Sequence, residues 1–461
     1  MEDQNNSQVA VVMVPYPAQS HLNQLLHLSH LIVSYGIPVH YAGSAVHNNQ
    51  VKVRVQGLDS DRLTKINFHD FQIPPYISPP PNPDQLPLEP LFHIPTHLRK
   101  PVSELLEQLS AKYRRVIVVH DCLMASVVQD VKLIPKTESF QFYPLSGFNR
   151  FIDFWENIPE SDKPFQIDQS ITIPRCIPST EGTVTPEILR FVINQSKFWG
   201  TESGRIYNTS RVIEGAYVEL SEKLSGNNAE TKHFVLGPFN PVEMSGNQKR
   251  HRCLKWLDEQ NKGSVIFISF GSSTSLTEEQ IEELATGLER SGQKFIWVLR
   301  NADKADGFSS GKDKNPVLPE GYEERVKDRG MVVREWAPQL DILAHQSIGG
   351  FMSHCGWNSS IESISMGVPI AAWPMHSEQP RNAVLITEVL GIGVLVREWE
   401  DRGKLVSSVT IESTVKRLMA TKEGAEMRKR ASELGDSVRK SVSKGGASSL
   451  EMDAFIAHIT R

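Results

Sequence analysis

Cysteine is scarce in this sequence, and the few cysteines lie far apart. The chain of 461 residues has no Cys-x-x-Cys pair, and its 4 cysteines are Cys122, Cys176, Cys253 and Cys355. A disulfide-stabilised secreted scaffold and a zinc ribbon both need closely spaced cysteines, so neither class fits. The pattern is typical of a protein from a reducing compartment.

Long apolar segments are also missing. No run reaches the ~18 consecutive apolar residues that a membrane-spanning helix requires. Residues 1–8 are polar and acidic, without the basic segment and apolar run of a secretion signal. We therefore expect a cytoplasmic protein that does not insert stably into a membrane.

The sequence has no excess of positive charge. It carries 49 Lys and Arg against 54 Asp and Glu, a formal net charge of -5, and the two signs are interspersed. Because nucleic-acid binding needs a cationic field, we do not expect nucleic acid as a partner. The length exceeds that of one ordinary domain and is sufficient for two hydrophobic cores.

Common cofactor and metal motifs are absent as well. No G-x-G-x-x-G follows the first apolar strand, which disfavours a nicotinamide or flavin enzyme. His345, His354 and Cys355 do not have the spacing of zinc ligands. The sequence therefore predicts neither a cofactor nor a bound metal.

The most informative stretch of the chain is residues 336–379. Within it, residues 348–353 form a short apolar strand that runs into small and polar residues, after which apolar residues recur at helical spacing. A helix start offers unpaired N–H groups and the positive end of the helix dipole, and Gly356 lets a ligand approach the backbone closely. The pattern predicts a cradle for a diphosphate.

Side chains of the same stretch suit the rest of a nucleotide. His354, Asn358 and Ser359 can donate further hydrogen bonds to phosphate oxygens. Glu362, one helical turn on, can accept from two ribose hydroxyls, and Trp336 offers a flat surface to a base. Each residue taken alone is equally well explained by a structural role, so the prediction depends on the whole block.

His21 lies at a second junction of strand and helix. An apolar run at residues 9–14 predicts a buried parallel strand, and the leucine stripe from Leu22 predicts a helix. Ligands of open α/β sheets bind at the carboxyl ends of the strands. A lone histidine there would be a surface residue, but the positive end of the helix is also expected to keep the imidazole neutral and able to act as a general base.

Asp121 favours the second interpretation of His21. It follows another buried strand, residues 116–119, and can therefore lie at the same edge of the same sheet. A carboxylate bonded to one ring nitrogen orients the other toward a substrate and stabilises the imidazolium that forms. The pair predicts a catalytic dyad, with no serine nucleophile elbow beside it.

From residue 336 to residue 379 the chain resembles, without a gap, the signature box of plant family 1 UDP-glycosyltransferases, the secondary-product enzymes that use UDP-sugars. The resemblance implies two Rossmann-like α/β domains facing across a cleft (GT-B type) and UDP-glucose as co-substrate rather than a cofactor. It also implies metal-independent transfer with inversion, His21 as base and Asp121 as its partner. Asp59 and Asp61 have the spacing of the metal pair of other glycosyltransferases, and we interpret them as a solvated turn.

The resemblance also assigns roles by position. It implies that Trp336 stacks on uracil and that Ala337 and Gln339 hold uracil and ribose. It implies that Glu362 binds the ribose hydroxyls and that Trp357, Glu378 and Gln379 bind the sugar. A Gln at the last of these positions resembles the glucose-using pattern. The diphosphate would be bound by Ser272, His354, Gly356, Asn358 and Ser359.

The acceptor is less well determined than the donor. Much of the first half resembles the zeatin O-glucosyltransferase branch, which acts on a cytokinin side-chain hydroxyl, but Ser20 replaces the usual Gly before the base and Pro144 the usual Thr. The aromatic stretch from residue 140 to 155 is expected to line the acceptor pocket through Phe142, Tyr143 and Phe148, near Ser20. A flavonoid or other phenolic acceptor, attack by an aromatic carbon, and a UDP-sugar-binding protein without activity remain alternatives.

Loss of periodicity divides the chain. We predict an acceptor domain at residues 1–239, a linker at 240–250 and a UDP-sugar domain at 251–440. Residues 441–461 are expected to form a helix that packs back on the first domain. A monomer that binds one small acceptor and one UDP-sugar is expected.

Overall fold

Two parallel β-sheets form the frame of the protein in a computed structural model that describes residues 8–58, 60–74, 91–159, 174, 177–224, 231–243, 251–300 and 316–461. The first sheet has the strand order β3-β2-β1-β4-β5-β6-β7 and the second has the order β10-β9-β8-β11-β12-β13. The strands are β1 Val9–Val14, β2 Val39–Ser44, β3 Ile66–Phe71, β4 Arg115–Asp121, β5 Thr137–Tyr143, β6 Gly204–Tyr207, β7 Lys232–Val235, β8 Val265–Ser269, β9 Lys294–Val298, β10 Gly330–Val333, β11 Ile348–Ser353, β12 Ile370–Ala372 and β13 Gly393–Leu395.

Helices cover the faces of both sheets. They are α1 Gln19–Val33, α2 Ala45–Arg54, α3 Ser60–Leu63, α4 Ile94–Lys112, α5 Gly147–Asn157, α6 Pro186–Ser196, α7 Arg211–Leu224, α8 Arg252–Asp258, α9 Glu278–Ser291, α10 Tyr322–Val326, α11 Gln339–Leu343, α12 Trp357–Met366, α13 Gln379–Val384, α14 Ser408–Ala420, α15 Lys422–Val442 and α16 Ala447–Ile459. This confirms the predicted fold class of two Rossmann-like α/β units.

Each sheet reverses its strand order at one point. In the first sheet the reversal lies between β1 and β4, and in the second between β8 and β11. These central strands are continuous apolar runs because helices cover them on both faces, and every residue of β1 is buried. Open α/β sheets bind ligands at such switch points, beyond the carboxyl ends of the strands.

The hydrophobic core is continuous between the two sheets. One cluster joins Phe148, Phe151 and Tyr217 from α5 and α7 to Trp357 and Ile361 from α12. The first and second lobes, as we call the parts built on the first and second sheets, therefore share buried apolar surface beside the cleft.

The C-terminal helix packs against the first lobe. Met452, Phe455 and Ile459 of α16 are buried in the core of the first sheet. The Arg115 guanidinium, at the start of β4, donates to the carbonyl oxygens of His458 (3.0 Å) and Ile459 (3.1 Å). The domain boundaries given above stay a prediction.

The segment after β4 differs from expectation. The spacing of Met124, Val127 and Val131 predicts a helix, but the chain forms a short 3-10 helix, Cys122–Val127, followed by turns. The Asp121 carboxylate accepts from the Leu123 N–H at 2.9 Å and thereby caps this helix.

Candidate active site

His21 and Asp121 meet at the switch point of the first sheet. Strands β1 and β4 pair in parallel, with Val14 opposite His120, so the turn after β1 and the end of β4 lie side by side. His21 Nδ1 lies 2.7 Å from Asp121 Oδ2; the His21 side chain is 18% exposed and that of Asp121 is fully buried. Because Asp121 engages Nδ1, the opposite ring nitrogen, Nε2, is the one that can face a substrate.

The pKa of His21 departs from the expectation that the helix start would lower it. Burial lowers the pKa, but the charge and hydrogen bond of Asp121, with a smaller contribution from Glu378, raise it above the usual value of 6.5. A carboxylate in contact carries a full charge, whereas a helix end carries about half a charge shared over several N–H groups. The expectation of a depressed basicity is therefore wrong, and His21 is a stronger base than a free imidazole.

The predicted diphosphate cradle lies at the switch point of the second sheet. Strand β11 ends at Ser353, and helix α12 begins at Trp357 with Gly356 as its N-cap. A Cβ on Gly356 would lie 2.5 Å from His354 Nε2, and one on Gly271, after β8, would lie 2.6 Å from the same atom. Both glycines are required because the buried imidazole fills the space between the two turns.

His354 is a neutral imidazole. Burial, with a smaller effect of His376, lowers its pKa to about 3. Its Nδ1 is buried and has no hydrogen-bond partner among the residues that the structure describes. Ser272 lies beside Gly271 in the turn after β8 and is half-buried, on the same side of the sheet as His354.

Asn358 connects the cradle to the first lobe. Its Nδ2 donates to the carbonyl oxygen of Ser20 at 2.7 Å, one residue before His21. The backbone that positions the predicted base is thus tied directly to the start of α12. Ser20 itself is exposed, so its side chain is open to a ligand.

The residues predicted to bind the nucleoside form one group. Trp336 is half-buried, with the guanidinium carbons of Arg54 and Arg300 at 4.8 and 5.1 Å from its ring. Gln339 Nε2 donates to Ser359 Oγ (2.9 Å) and to Glu362 Oε2 (2.8 Å). The residues predicted to face the base and those predicted to face the ribose are therefore adjacent, while their roles in binding stay a prediction.

Gln56, which sequence reasoning missed, reaches this group from the first lobe. Its Nε2 donates to the Ala337 carbonyl (3.0 Å), and its Oε1 accepts from the Leu340 N–H (2.9 Å). The carboxamide thus holds both ends of the turn that is predicted to read the base. No sequence pattern marks Gln56, because the contact joins residues 281 positions apart.

Burial raises the pKa of Glu362 to about 7, although the Gln339 amide partly offsets the effect. Ribose hydroxyls that donate to this carboxylate would favour its charged form, so binding below that pKa must release a proton. Relative to Glu362→Gln, the UDP affinity of the wild type is expected to rise about tenfold between about pH 6 and about pH 8.

Calorimetric titration of both proteins with UDP measures this ratio. The diphosphate and all other protein groups titrate alike in the two proteins, so their contributions cancel. Repeating the titration in buffers of different ionisation enthalpy should show that the wild type releases more protons than Glu362→Gln, the excess being the proton of Glu362. Parallel pH profiles for the two proteins would contradict the ribose assignment.

The predicted sugar-binding residues differ in how their polar groups are bonded within the protein. The Glu378 carboxylate accepts from the Trp357 N–H at 3.3 Å. Burial raises the pKa of Glu378, while this N–H and the nearby His21 lower it, which places the carboxyl within electrostatic range of the predicted base. Glu378 thus contacts the first residue of α12 and interacts electrostatically with His21.

The side chains of Gln379 and Trp357 offer less surface to a sugar than the resemblance implies. Gln379 Oε1 accepts from the N–H groups of Met375 (2.9 Å) and His376 (3.0 Å). The Trp357 indole is 2% exposed and donates to the Asn208 carbonyl at 2.8 Å. The ring of Trp357 therefore packs between the lobes, and its backbone N–H donates to Glu378.

Two predicted acceptor residues belong to the core instead. Phe142 and Phe148 have no exposed surface and lie in separate hydrophobic clusters, so neither ring lines an open pocket. Tyr143 is 4% exposed and stacks on Tyr207 with ring centroids 5.6 Å apart. For Phe148 the reason is the phase of α5, which turns Phe148, Phe151 and Ile152 to one buried side.

An open cavity lies beside Glu378. Its volume is about 150 Å³, and it is lined by α5, by residues 178–183 and by the segment from Ser377 to Arg381. Asn149, Asp153 and Arg381 make much of this lining polar. Since the cavity adjoins Glu378, a ligand in it would lie next to the predicted sugar seat.

Neither a metal cluster nor a membrane helix is found in the described part of the chain. Within it, no three His, Cys, Asp or Glu side chains converge on one point. Asp59 of the Asp59/Asp61 pair lies outside the described residues. Among the helices of the ranges given above, none is long and apolar enough to cross a membrane.

Comparisons with known proteins identify the family of this chain and its fold. The family profile "Glycosyltransferase, N-terminal domain" matches residues 7–241, and "UDP-glucoronosyl and UDP-glucosyl transferase" matches residues 244–430. Zeatin O-glucosyltransferase of Phaseolus lunatus is 52% identical over 99% of this chain and 98% of its own. Zeatin O-xylosyltransferase of Phaseolus vulgaris is 50% identical over 99% of both. Phytolacca americana UGT2, solved with UDP-2fluoro-glucose and pterostilbene, superposes with a TM-score of 0.74 at 25% identity, covering 98% of this chain and 100% of its own.

Proposed function

The chain belongs to the plant family 1 UDP-glycosyltransferases, and we propose that it transfers glucose from UDP-glucose to a hydroxyl of a small plant acceptor with His21 as general base. That the enzyme is a UDP-sugar glycosyltransferase follows from the family. The observation that carries the finer proposal is the His21–Asp121 pair, 2.7 Å apart, whose neighbouring residue Ser20 is hydrogen-bonded to Asn358 at the start of α12.

The proposed chemistry is a single displacement at the anomeric carbon. Nε2 of His21 takes the proton of the acceptor hydroxyl while its oxygen attacks, and Asp121 stabilises the imidazolium. The bond to the UDP oxygen breaks, and the negative charge develops at the start of α12, where backbone N–H groups and His354 face it. Because attack and departure occur on opposite faces, the α-linked donor gives a β-glycoside.

This route gives a metal no necessary role. The start of α12 and the neighbouring polar side chains supply the positive potential that a divalent ion provides in other nucleotide-sugar enzymes. We therefore propose metal-independent transfer, with UDP-glucose as the co-substrate.

A cytokinin side-chain hydroxyl is the proposed acceptor. Two relatives of 52% and 50% identity are zeatin transferases that use glucose and xylose respectively. The open cavity lined by Glu378 would give an acceptor room next to the predicted sugar seat. Gln379, which matches the glucose-using pattern, favours glucose as the donor.

The acceptor and donor can be determined in one panel. Zeatin, flavones and simple phenols are each incubated with UDP-glucose or UDP-xylose, and products are analysed by mass, anomeric coupling and acid lability. We expect an acid-labile β-glucoside of zeatin as the main product. A larger xylosyl product would contradict the donor, an acid-resistant product would indicate attack by carbon, and binding of UDP-glucose without any product would indicate an inactive binding protein.

A further inference from the structure

Asn382 connects the two lobes beneath the diphosphate cradle. It lies on α13, three residues after Gln379, and has no exposed surface. Its Nδ2 donates to the Cys355 carbonyl at 2.8 Å, and its Oδ1 accepts from Asn149 Nδ2 at 2.6 Å. Asn149 belongs to α5 of the first lobe, so a buried chain of amides runs from one lobe to the turn before α12.

Both ends of this chain are fixed. The Asn149 side chain and backbone N–H both donate to Ser146 Oγ, at 2.8 and 3.0 Å. At the other end, the Cys355 N–H donates to Ser353 Oγ at 3.1 Å. Asn382 therefore has little freedom to turn its amide, because each of its polar atoms faces a partner that is itself held.

Cys355 has a conformation that needs such support. Its φ is 64°, in the left-handed region that residues with a side chain rarely adopt. Residues in that region persist where the surrounding structure determines them on several sides. Here the N–H is bonded to Ser353 and the carbonyl to Asn382, so both flanking peptide planes are set.

The orientation of the peptide plane between Cys355 and Gly356 determines where the Gly356 N–H points in the cradle. The Cys355 carbonyl and the Gly356 N–H belong to the same trans peptide, so they point in opposite directions. When Asn382 holds the carbonyl, the Gly356 N–H is turned away from Asn382. That N–H immediately precedes α12, where the unpaired donors of the helix start converge.

We propose that Asn382 is a positioning residue of the donor site. It acts through the Cys355–Gly356 peptide, aiming the Gly356 N–H at the diphosphate, and Asn149 of the first lobe keeps its amide in the required orientation. The inference rests on the proposed diphosphate seat and adds to it that a first-lobe residue helps to build that seat.

Asn382→Asp tests the proposal with the smallest change of shape. The carboxylate can still accept from Asn149 but places an acceptor against the Cys355 carbonyl, so the peptide loses its donor. The Kd for UDP, measured by calorimetry, is expected to rise about 5- to 100-fold, the usual effect of leaving a buried polar group unpaired. The KM for the acceptor is expected to change less than the Kd for UDP, since Asn382 itself does not line the proposed acceptor cavity.

Asn149→Ala is the second variant and lies in the other lobe. It leaves the Cys355 bond in place but frees the Asn382 amide to rotate, so the Kd for UDP is expected to rise about 2- to 5-fold. This variant keeps the proposal testable if Asn382→Asp does not fold. A merely structural role of Asn149 in α5 would leave the affinity for UDP unchanged, so a raised Kd distinguishes the positioning role from it.

Asn48→Ala serves as the matched control. Asn48 is equally buried, and its amide donates to the His69 carbonyl at 2.9 Å, at the β2–β3 side of the first sheet. It should lower thermal stability without changing the Kd for UDP. An unchanged Kd in both Asn382→Asp and Asn149→Ala, or an equal rise in Asn48→Ala, overturns the proposal.

Gly356→Ala separates failure of this inference from failure of the site. Its Cβ would collide with His354 Nε2, so it must weaken UDP binding if the diphosphate lies there. If Gly356→Ala weakens binding and Asn382→Asp does not, the seat stands and Asn382 has no positioning role. If neither weakens it, the proposed seat itself is wrong, and the inference falls with it.

Discussion

Replacement of His21 by alanine is expected to abolish measurable transfer while UDP binding is retained. General-base catalysis contributes about 10²–10⁴-fold to a rate, and among the residues that the structure describes at the first switch point His21 is the imidazole paired with a carboxylate. Initial rates at saturating donor and acceptor measure kcat, and calorimetry measures the Kd for UDP. The Kd is expected to stay within about twofold, because the Ser20 carbonyl that holds Asn358 is backbone and survives the substitution.

His345→Ala is the matched control for this experiment. His345 also pairs with an aspartate, since its Nε2 lies 3.3 Å from Asp258 Oδ1, but the pair belongs to the second lobe at α8. Its loss should leave kcat unchanged. Turnover by His21→Ala close to that of the wild type would refute the assignment of the base.

The two lobes are coupled through the donor site itself. Gln56 holds the turn at Ala337, Ser20 holds Asn358, and Asn149 holds Asn382. Each of these contacts runs from a first-lobe residue to a turn or helix of the proposed UDP site. Closure of the lobes and order in the donor site therefore favour one another, since the same hydrogen bonds serve both.

The central strands and the dyad were predictable because their signals are local. An all-apolar run such as Val9–Val14 is too short for a buried helix and bounded by prolines, so it indicates a buried parallel strand. Parallel strands end at one edge of a sheet, which brings His21 and Asp121 to the same place once β1 and β4 are neighbours. The sequence shows the ends of both strands, and the fold supplies their adjacency.

Contacts between the lobes were not predictable in this way. Gln56 and Ala337 are 281 positions apart, and Asn149 and Asn382 are 233 apart, so no periodicity encodes either pair. One signal was present for Asn382, a polar residue directly before the apolar run of residues 383–386. Such a residue must find hydrogen-bond partners when it is buried, although the sequence does not say where.

The wrong predictions for Phe148 and for the pKa of His21 also have identifiable causes. Phe148 was assigned to the acceptor pocket because aromatic residues are dense around it, but Phe148, Phe151 and Ile152 have the i, i+3, i+4 spacing of a core stripe. The pKa of His21 was misjudged because the helix start was weighed without the distance to Asp121. A contact of 2.7 Å decides that balance, and a distance is a property of the fold.

Asp121→Asn is expected to lower kcat nearly as much as the loss of His21 does. Asp121 Oδ1 accepts from the Leu123 N–H, so an asparagine would keep its oxygen on that donor and turn its NH₂ toward His21 Nδ1. Nδ1 would then have to accept, the proton would lie on Nε2, and Nε2 could no longer take a proton from the acceptor. An expected fall in kcat of about 10²–10⁴-fold follows, as for wrong-tautomer variants of other His–Asp pairs.

The pH profile distinguishes this cause from a general loss of structure. In the wild type Asp121 raises the pKa of His21, so the rate is low where the imidazole is protonated and rises as pH increases through that raised pKa. Asparagine removes the charge that raises the pKa of His21, whereas burial, which lowers that pKa, remains. The rising limb of the rate profile must therefore move to lower pH, and its plateau must fall. Asp258→Asn, the matched change in the His345 pair, should alter neither limb nor plateau. A limb that stays in place or moves to higher pH in Asp121→Asn would show that the imidazole beside Asp121 is not the group that takes the proton.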